Sequence, residues 1–314
     1  MMATLPAWVL VPVSFCLFAL NLAFWGVLVT LLSLLRLLPF GVTRRVCHHA
    51  LHGCYTGWIA VNAFIIRSVN NLEWQEQLPA DGLSKQQWYL LIANHQSWLD
   101  VVLLAQFTYG RMPLPKFFLK QELKWVPFVG LGAWALGMPF MRRYSKAQQA
   151  ANPDLKGHDI DSTRRSCEAF RHQPTTIINF VEGTRFSQKK RQLKQSSFQY
   201  LLPPKAGGIA FTLASMGEQF DAILDVTIIY PDNPKHIVLA MLAGKLKRVV
   251  FQVERLPVTK QLIGDYFHDD AYRQQFQYWL NQRWQHKDAQ LSAFYQAEQQ
   301  AADTNSSNKV NPTP

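Results

Sequence analysis

The segment Asn94–Asp100 contains the two side chains that make a general base, a histidine and a carboxylate. His95 is followed five positions later by Asp100. A carboxylate beside an imidazole fixes the tautomer of the ring and stabilises its protonated form. On one continuous helix the two side chains would point about 140° apart. The pair therefore forms only if His95 lies in a turn and Asp100 in the first turn of a following helix.

A purely structural role accounts for the same residues. Ser97 and Asp100 have the spacing of a capping box, in which two side chains satisfy the free N–H groups at the start of a helix. A turn histidine such as His95 needs no catalytic role. Spacing alone leaves both interpretations open.

The segment Phe180–Phe186 carries a second group of reactive side chains. Gly183 allows a sharp turn, and the planar guanidinium of Arg185 suits a phosphate or carboxylate group. Glu182 and Thr184 stand beside them. The alternative is a surface turn in which Glu182 and Arg185 form a solvated ion pair. The segment is therefore a candidate anion site, and further motifs elsewhere in the chain are needed to support that interpretation.

Two further segments place basic residues near apolar turns. Arg142 and Arg143 follow one such turn, and Lys205 lies within Leu201–Gly208, downstream of the basic run 189–194. Basic residues close to a membrane anchor commonly contact anionic headgroups. The alternative is a pair of surface loops. No recognised nucleic-acid-binding module accompanies the basic residues, so we expect no nucleic-acid partner.

The elements that must position these residues alternate between strand and helix from about residue 85. The two reactive segments directly follow short buried runs, and α/β folds place their sites at the carboxyl ends of strands. We predict a mixed, mostly parallel sheet flanked by helices. The predicted strands are Trp88–Ala93, Thr175–Val181, Ala222–Tyr230 and Arg248–Glu254, and the predicted helices are Ser97–Gln106, Asp159–Gln173, Gly207–Met216 and Asp269–Lys287.

The amino terminus differs from the rest of the chain because residues 1–35 contain no Lys, Arg, Asp or Glu. A helix over residues 8–35 would be about 42 Å long, against about 30 Å of bilayer hydrocarbon. It is too long for the core of a secretory signal, so we predict an uncleaved anchor. Arg36, Arg44 and Arg45 follow it and predict that the rest of the chain lies on the cytoplasmic side of the membrane.

A second apolar stretch over residues 50–66 predicts an interfacial helix, with the first helix of the soluble domain as the alternative. A helical hairpin lying in one leaflet is the alternative for the whole amino terminus, and it leaves the orientation open. The predicted division is a membrane anchor over residues 1–67, a catalytic domain over 68–302 and a disordered tail over 303–314.

Composition excludes several classes of protein. The chain has 314 residues, 48% hydrophobic and 17% charged, with a formal net charge of +11. This excludes a disordered protein, which needs few aromatics and much charge. The four cysteines are scattered without a CxxC pair, so no disulfide framework and no zinc site are predicted. The positive charge favours anionic partners, including the negative membrane leaflet.

Taken in order, these segments resemble the motifs of the glycerophospholipid acyltransferase family, that is, the PlsC-type 1-acylglycerol-3-phosphate acyltransferases. The resemblance covers roughly residues 70–260. The matching residues are Asn94, His95 and Asp100 for NHxxxxD; Lys120, Glu122, Leu123, Pro127 and Gly130 for KxELxxxPxxG; Gly137, Phe140, Met141 and Arg143 for GxxFIxR, with Met in place of Ile; and Glu182, Gly183, Thr184 and Arg185 for EGTR.

One block departs from the family pattern. Its proline, Pro231, stands at the end of a late strand rather than near the start. This variant is similar to the branch that includes lysocardiolipin acyltransferases. The departure leaves the acceptor and the acyl-chain preference open, and the sequence leaves the oligomeric state open as well.

The resemblance implies the transfer of a fatty acyl group from acyl-CoA or acyl carrier protein to a lysophospholipid hydroxyl. The first acceptor it suggests is 1-acylglycerol 3-phosphate, which would give phosphatidic acid. His95 is then the general base and Asp100 its partner, with no cofactor and no metal. The implied substrate-binding residues are Glu182, Gly183, Thr184, Arg185, Arg143, Arg142 and Lys205.

Three alternatives remain at this point. One is a remodelling acyltransferase that uses another headgroup, and another is an inactive, membrane-anchored phospholipid-binding protein. The third is a lipid hydrolase that uses the same histidine and carboxylate with water.

Overall fold

The computed structural model describes residues 5–141, 170–232 and 235–310, with side chains throughout except at Met141 and residues 304–310. The α-helices in these ranges are α1 (Ala7–Leu35), α2 (Gly41–Val69), α3 (Leu99–Thr108), α4 (Val129–Ala135), α5 (Gln188–Leu193), α6 (Gly207–Met216), α7 (Ile237–Leu242) and α8 (Asp270–Val310). Short 3₁₀ helices cover Gln121–Trp125, Gly217–Gln219 and Lys260–Leu262.

The strands form one main sheet and one small ribbon. The main sheet has the order β1-β8-β7-β2-β6-β3, and only β7 and β8 pair antiparallel. The predicted mixed, mostly parallel sheet flanked by helices is therefore confirmed. The strands are β1 (Glu73–Gln77), β2 (Tyr89–Ala93), β3 (Pro115–Phe117), β4 (Leu119–Lys120), β5 (Phe140–Met141), β6 (Thr176–Phe180), β7 (Ala222–Ile229) and β8 (Arg248–Leu256), with β4 and β5 forming the ribbon.

Helices cover both faces of the main sheet, which explains why β2 and β7 are buried at every position. On one face Leu90 and Ile177 pack with residues of α6 and α8, including Leu213 and Trp284. On the other face the sheet packs with residues of α3, among them Phe107. Strand β2 lies between β6 and β7, so the loops that follow these three strands meet at one edge of the sheet.

The predicted strands are all observed, and the helix over Gly207–Met216 has the predicted bounds. Four strands were missed, two in the main sheet and the two-residue strands β4 and β5 of the ribbon. β1 has the polar sequence EWQEQ at a sheet edge and finds its partner β8 far along the chain, and β3 is only three residues long. The predicted helix Asp159–Gln173 lies almost wholly outside the described residues.

Two helices are longer than predicted. Helix α2 begins at Gly41 rather than at residue 50, because Cys47 and Leu51 are buried in its first turns although charged residues interrupt the apolar pattern there. Helix α8 continues from Lys287 to Val310. Its backbone is therefore helical over residues 303–310, where a disordered tail was predicted, because the preceding Gln- and Ala-rich stretch favours helix.

Helices α1 and α2 form a hairpin that lies along the domain. Near the start of α1, Leu10 packs with Val69 of α2 and lies beside Gly244, just after α7. Near the end of α1, Val29 packs with Ala135 of α4. These two contacts on α1 are about 28 Å apart. Among the described residues, α1 is the one helix long and apolar enough to cross a membrane. Within its apolar stretch, 17% of the residues are buried in the protein. Its other face presents apolar side chains to the surroundings.

Candidate active site

His95 and Asp100 form a direct pair at the carboxyl edge of the sheet. His95 lies in the turn after β2, and Asp100 lies in the first turn of α3. The His95 Nδ1 atom is 2.8 Å from Asp100 Oδ2. Because the carboxylate accepts the Nδ1 proton, this hydrogen bond leaves the lone pair on Nε2. The imidazole is thus oriented as a base, and its side chain is 12% exposed while that of Asp100 is fully buried.

The Asp100 carboxylate has partners on both oxygens. Oδ2 also accepts the backbone N–H groups of Gln96 at 2.6 Å and Ser97 at 2.8 Å. Oδ1 accepts the hydroxyl of Tyr230 at 2.5 Å. The capping interpretation and the catalytic interpretation therefore do not exclude each other, because one carboxylate closes the turn before α3 and also holds His95.

Tyr230 was not identified from the sequence. It directly follows β7, and because β7 neighbours β2 its side chain reaches the turn that holds His95. Burial, together with the charge of Asp100, raises the pKa of Tyr230 well above its ordinary value. The hydroxyl therefore remains a hydrogen-bond donor at neutral pH. The tyrosine at the end of the predicted strand was the available signal, but nothing local connected it with Asp100.

Asn94 joins the same turn to β7. Its Oδ1 accepts the backbone N–H of Ile228 at 2.8 Å, and its Nδ2 donates to the carbonyl of Ile228 at 3.0 Å. The side chain thus substitutes for a pair of ladder hydrogen bonds where β2 has ended. This explains physically why an asparagine precedes the histidine.

Glu182 lies beneath the site rather than in it. Its side chain is fully buried and accepts the backbone N–H groups of His95 at 3.0 Å and Leu202 at 3.0 Å. It therefore ties together the turn after β2, the loop after β6 and the loop Leu201–Gly208. Burial raises the pKa of Glu182 to about 8. The sequence predicted a substrate contact for this residue, whereas its observed contacts position the loops.

The three residues after Glu182 form a half-buried turn above it. Gly183 has a φ of +65°, a conformation that favours glycine. The Lys190 ammonium donates to Thr184 Oγ1 at 2.8 Å and to the Arg185 carbonyl at 2.9 Å. The Arg185 guanidinium lies over the Trp98 ring, 4.6 Å from its centroid. The turn is thus held from both sides, and Lys190 is a basic neighbour that the sequence did not single out.

One cavity of about 190 Å³ brings these groups together. His95, Arg185 and Lys120 all line it, so the base and two cations face one space. Phe180 stacks on the imidazole with the ring centroids 4.0 Å apart. The remaining wall is mostly apolar and consists of Trp98, Val101, Phe117, Phe118, Leu119, Leu123, Asn179, Gly183 and Thr184. Lys120 was noted only as part of a motif and not as a site residue.

Lys205, another predicted substrate-binding residue, does not line this cavity. Arg142 and Arg143 lie outside the described residues. Lys205 is exposed on the loop Leu201–Gly208, and its backbone N–H donates to the Val181 carbonyl at 2.9 Å. Within the described ranges, no group of three or more His, Cys, Asp or Glu side chains is placed to hold a metal ion.

A comparison with protein families now adds to this geometry. A family model described as Acyltransferase matches residues 71–231, about half of the chain. This chain belongs to the acyltransferase family. The match begins just before β1 and ends at Pro231, so it contains the His95–Asp100 pair, the Glu182–Arg185 turn and Tyr230. The resemblance to glycerophospholipid acyltransferases is confirmed.

Individual relatives of this acyltransferase chain are distant. Lysocardiolipin acyltransferase 1 of Mus musculus is 26% identical over 222 residues, which cover 67% of this chain and 54% of that protein. The 1-acyl-sn-glycerol-3-phosphate acyltransferase delta of Homo sapiens is 25% identical over 218 residues, or 66% of this chain and 53% of that protein. This chain therefore spans about half the length of the curated relatives it matches.

A solved structure is also similar. The 1-acyl-sn-glycerophosphate acyltransferase PlsC of Thermotoga maritima matches with a TM-score of 0.46 and 15% identity, over 94% of this chain and 95% of that one.

Proposed function

We propose that this acyltransferase moves a fatty acyl group from a thioester donor to the free hydroxyl of a lysophospholipid, with 1-acylglycerol 3-phosphate as the first acceptor to test. One observation carries the proposal. The His95–Asp100 pair opens onto the same cavity as Arg185 and Lys120. A base is thereby placed next to cations that suit the phosphate of a lysolipid.

In this mechanism His95 Nε2 takes the proton from the acceptor hydroxyl while the hydroxyl oxygen attacks the thioester carbonyl. The carbon–sulfur bond then breaks, the acyl group stays on the acceptor oxygen, and the leaving thiolate receives the proton from the imidazolium. Asp100 stabilises the imidazolium in between. Because Asp100 also accepts hydrogen bonds from Tyr230 and from two backbone N–H groups, it keeps its orientation throughout the reaction.

Arg185 and Lys120 bind the acceptor phosphate in this proposal, with Lys190 holding the turn that carries Arg185. The cavity of about 190 Å³ is smaller than the roughly 300–1,000 Å³ of a pocket that encloses a drug-sized ligand. It accommodates a headgroup and the reacting ester region. The acyl chains therefore stay outside it, in contact with the apolar rim or the bilayer.

The amino-terminal hairpin provides that contact with the bilayer. Because α1 contacts Gly244 near its start and Ala135 of α4 near its end, we favour a hairpin embedded in one leaflet over a helix that crosses the membrane. The proposed location is the inner membrane. The hairpin does not set the orientation, but the basic residues that follow α1 favour the cytoplasmic side for the domain. Anchoring keeps the site close to a substrate that itself resides in the membrane.

The donor is acyl-CoA or acyl carrier protein, both of which are acidic and attracted by a chain of net charge +11. The relatives named above are named for lysocardiolipin and for 1-acyl-sn-glycerol-3-phosphate. Both names support a lysophospholipid acceptor without selecting the headgroup. A remodelling enzyme with another acceptor is therefore the second candidate.

The test uses the purified full chain in detergent with labelled acyl-CoA and 1-acylglycerol 3-phosphate. We expect an ester product and a loss of about 10²–10⁴-fold in the His95→Ala variant. The matched control is His268→Ala, since His268 also pairs with a carboxylate, Asp265 at 2.8 Å, but is exposed at the surface. Full activity is expected for the control.

The alternatives give different results in the same assay. A lipid-binding protein would bind the lysolipid without forming product, and a hydrolase would release free fatty acid without needing the acceptor. Equal product from wild type and His95→Ala would overturn the mechanism. An unchanged KM for the acceptor in Arg185→Gln would show that Arg185 does not bind the acceptor phosphate.

A further inference from the structure

A second and larger cavity lies at the opposite edge of the sheet. Its volume is about 800 Å³, and it opens where the α1–α2 hairpin meets the amino ends of β2, β3 and β6. Gln86, Leu114 and Thr175 line it just before these strands begin. The active site lies at the carboxyl ends, and a five-residue strand such as β2 separates the two edges by about 17 Å.

Among the described residues, the side chains that line this cavity and can carry a charge near neutral pH are those of lysine, arginine and histidine. Arg36, His48 and His52 of the hairpin region line it together with Lys85 and Lys116. No aspartate or glutamate is among the described residues that line it. Each of these basic side chains belongs to a different turn or element, apart from the two histidines on α2, so the cluster depends on the tertiary fold.

Lys116 is the least expected member of the cluster. It sits within β3 with a side chain that is nine-tenths buried, and its ammonium donates to the Leu136 carbonyl. A buried ammonium is normally paired with a carboxylate, because the desolvation of the charge is costly. Among the described residues the partner is a neutral carbonyl, and burial lowers the pKa of Lys116 to about 8.

The pKa values of the two histidines reflect burial next to these basic groups. Burial, with contributions from Lys116, His48 and His49, lowers the pKa of His52 to about 4. Burial and Arg36 also lower the pKa of His48. The two imidazole rings lie close together, with centroids 4.7 Å apart. A bound anion would offset the positive charges of the arginine and the lysines and would accept hydrogen bonds from them and from the imidazole rings.

We propose that this cavity is a phosphate-binding site, separate from the active site. Arginine and lysine at its rim and a buried lysine at its wall provide the charge-assisted donors that a phosphate group takes. The neighbouring tip of the hairpin exposes Leu37, Phe40 and Val42. That apolar tip would place the mouth of the cavity near a bilayer, where a phospholipid headgroup can supply the phosphate. Free phosphate offers the same chemistry, and the test below distinguishes the two sources.

The test measures binding to the full chain in detergent micelles, with inorganic phosphate in one arm and a soluble short-chain phosphatidylglycerol in the other. The key variant replaces two exposed residues, Arg36→Gln with Lys85→Gln, so that folding is retained. The matched control is Arg44→Gln with Arg45→Gln, two exposed arginines of the same hairpin that do not line the cavity. We expect the key variant to weaken binding about tenfold or more and the control to leave it unchanged.

A second readout locates the bound phosphate. Phosphate in this cavity raises the pKa of His52, followed by NMR of its ring, whereas phosphate at the active site does not. Binding in either arm with this response supports the proposal and identifies the source. The proposal is overturned if neither probe binds, or if binding is lost in Arg185→Gln and retained in the Arg36/Lys85 variant. Neither readout requires acyl transfer, so the proposal stands or fails independently of the proposed function.

Discussion

Two buried carboxylates in the same sheet region, Asp100 and Asp225, have opposite kinds of partner. Asp225 lies within β7, next to β2, and contacts the Lys287 ammonium at 2.6 Å and the Arg283 guanidinium at 2.9 Å. Asp100 meets no lysine or arginine in the described structure. Its partners are an imidazole, a tyrosine hydroxyl and two backbone N–H groups.

The difference separates a structural ion pair from a reactive one. Lys287 also donates to the Val226 carbonyl at 2.8 Å and to Thr227 Oγ1 at 2.9 Å, so its charge is satisfied within the core. Arg283 joins Asp225 to Glu254. These contacts fasten α8 to the sheet. Asp100 instead holds a group that can gain and lose a proton and that opens onto a cavity. Burial alone therefore does not distinguish the two carboxylates, and it is the nature of the partners that makes Asp100 the carboxylate of the proposed mechanism.

The largest expected effect comes from Asp100→Asn. The amide keeps the shape of the side chain but lacks the charge that stabilises an imidazolium, and it favours the wrong tautomer of His95. We expect kcat to fall by about 10³-fold or more, with little change in KM. Single-turnover product formation measures the effect. A loss of less than tenfold would mean that Asp100 is only a cap for α3.

Asp225→Asn tests whether the ion pairs of Asp225 stabilise the fold. It leaves Lys287 and Arg283 without their shared counter-charge in a buried position. We expect the free energy of unfolding to fall by about 3–5 kcal/mol. Denaturant unfolding in detergent measures it, and the double variant Asp225→Leu with Lys287→Met should recover part of the loss. Unchanged stability in Asp225→Asn would show that this network does not hold α8.

Tyr230→Phe removes one donor from Asp100 and keeps the ring. The carboxylate then has fewer hydrogen bonds and attracts the imidazolium more strongly, so we expect the acid limb of the pH profile of kcat/KM to move to higher pH. We also expect a loss of about tenfold in kcat, from the poorer orientation of the pair. The control is Tyr295→Phe, since Tyr295 donates to the Tyr230 carbonyl at 3.3 Å without touching Asp100. A pH profile that does not move would limit Tyr230 to packing.

Glu182 is a third buried carboxylate, bonded to backbone N–H groups, and its expected effect is confined to the pH dependence of stability. Burial raises its pKa to about 8 from an ordinary value of 4.5. Between these values the folded state holds more protons than the unfolded state, so stability falls as pH rises. The Glu182→Gln variant has no titrating group at this position, so its free energy of unfolding should depend less steeply on pH. The slopes of the two proteins should differ by up to about 1.4 kcal/mol per pH unit. Parallel curves for the two proteins from pH 5 to 8 would contradict the assignment.

Local patterns in the sequence determined most of the fold, and the reaction class came from the resemblance of several motifs, taken in order, to a known family. His95 and Asp100 stand within one strand–turn–helix unit, so their pairing follows from the period of a helix and the position of a turn. The buried strands are continuous apolar runs, which a sheet covered on both faces requires. The apolar helix α1 could also be predicted, because the chargeless stretch before Arg36 contains the whole pattern within one segment.

The tertiary structure alone decided which residues complete the site. Tyr230 is 130 positions from Asp100 and reaches it because β7 pairs with β2. Glu182 turns inward because its carboxylate meets N–H groups from two other loops, and Lys120 reaches the cavity from the end of the ribbon strand β4. The basic cavity assembles from the hairpin and three strand beginnings. Strand order and loop meeting points depend on long-range packing, which neither periodicity nor motif spacing specifies.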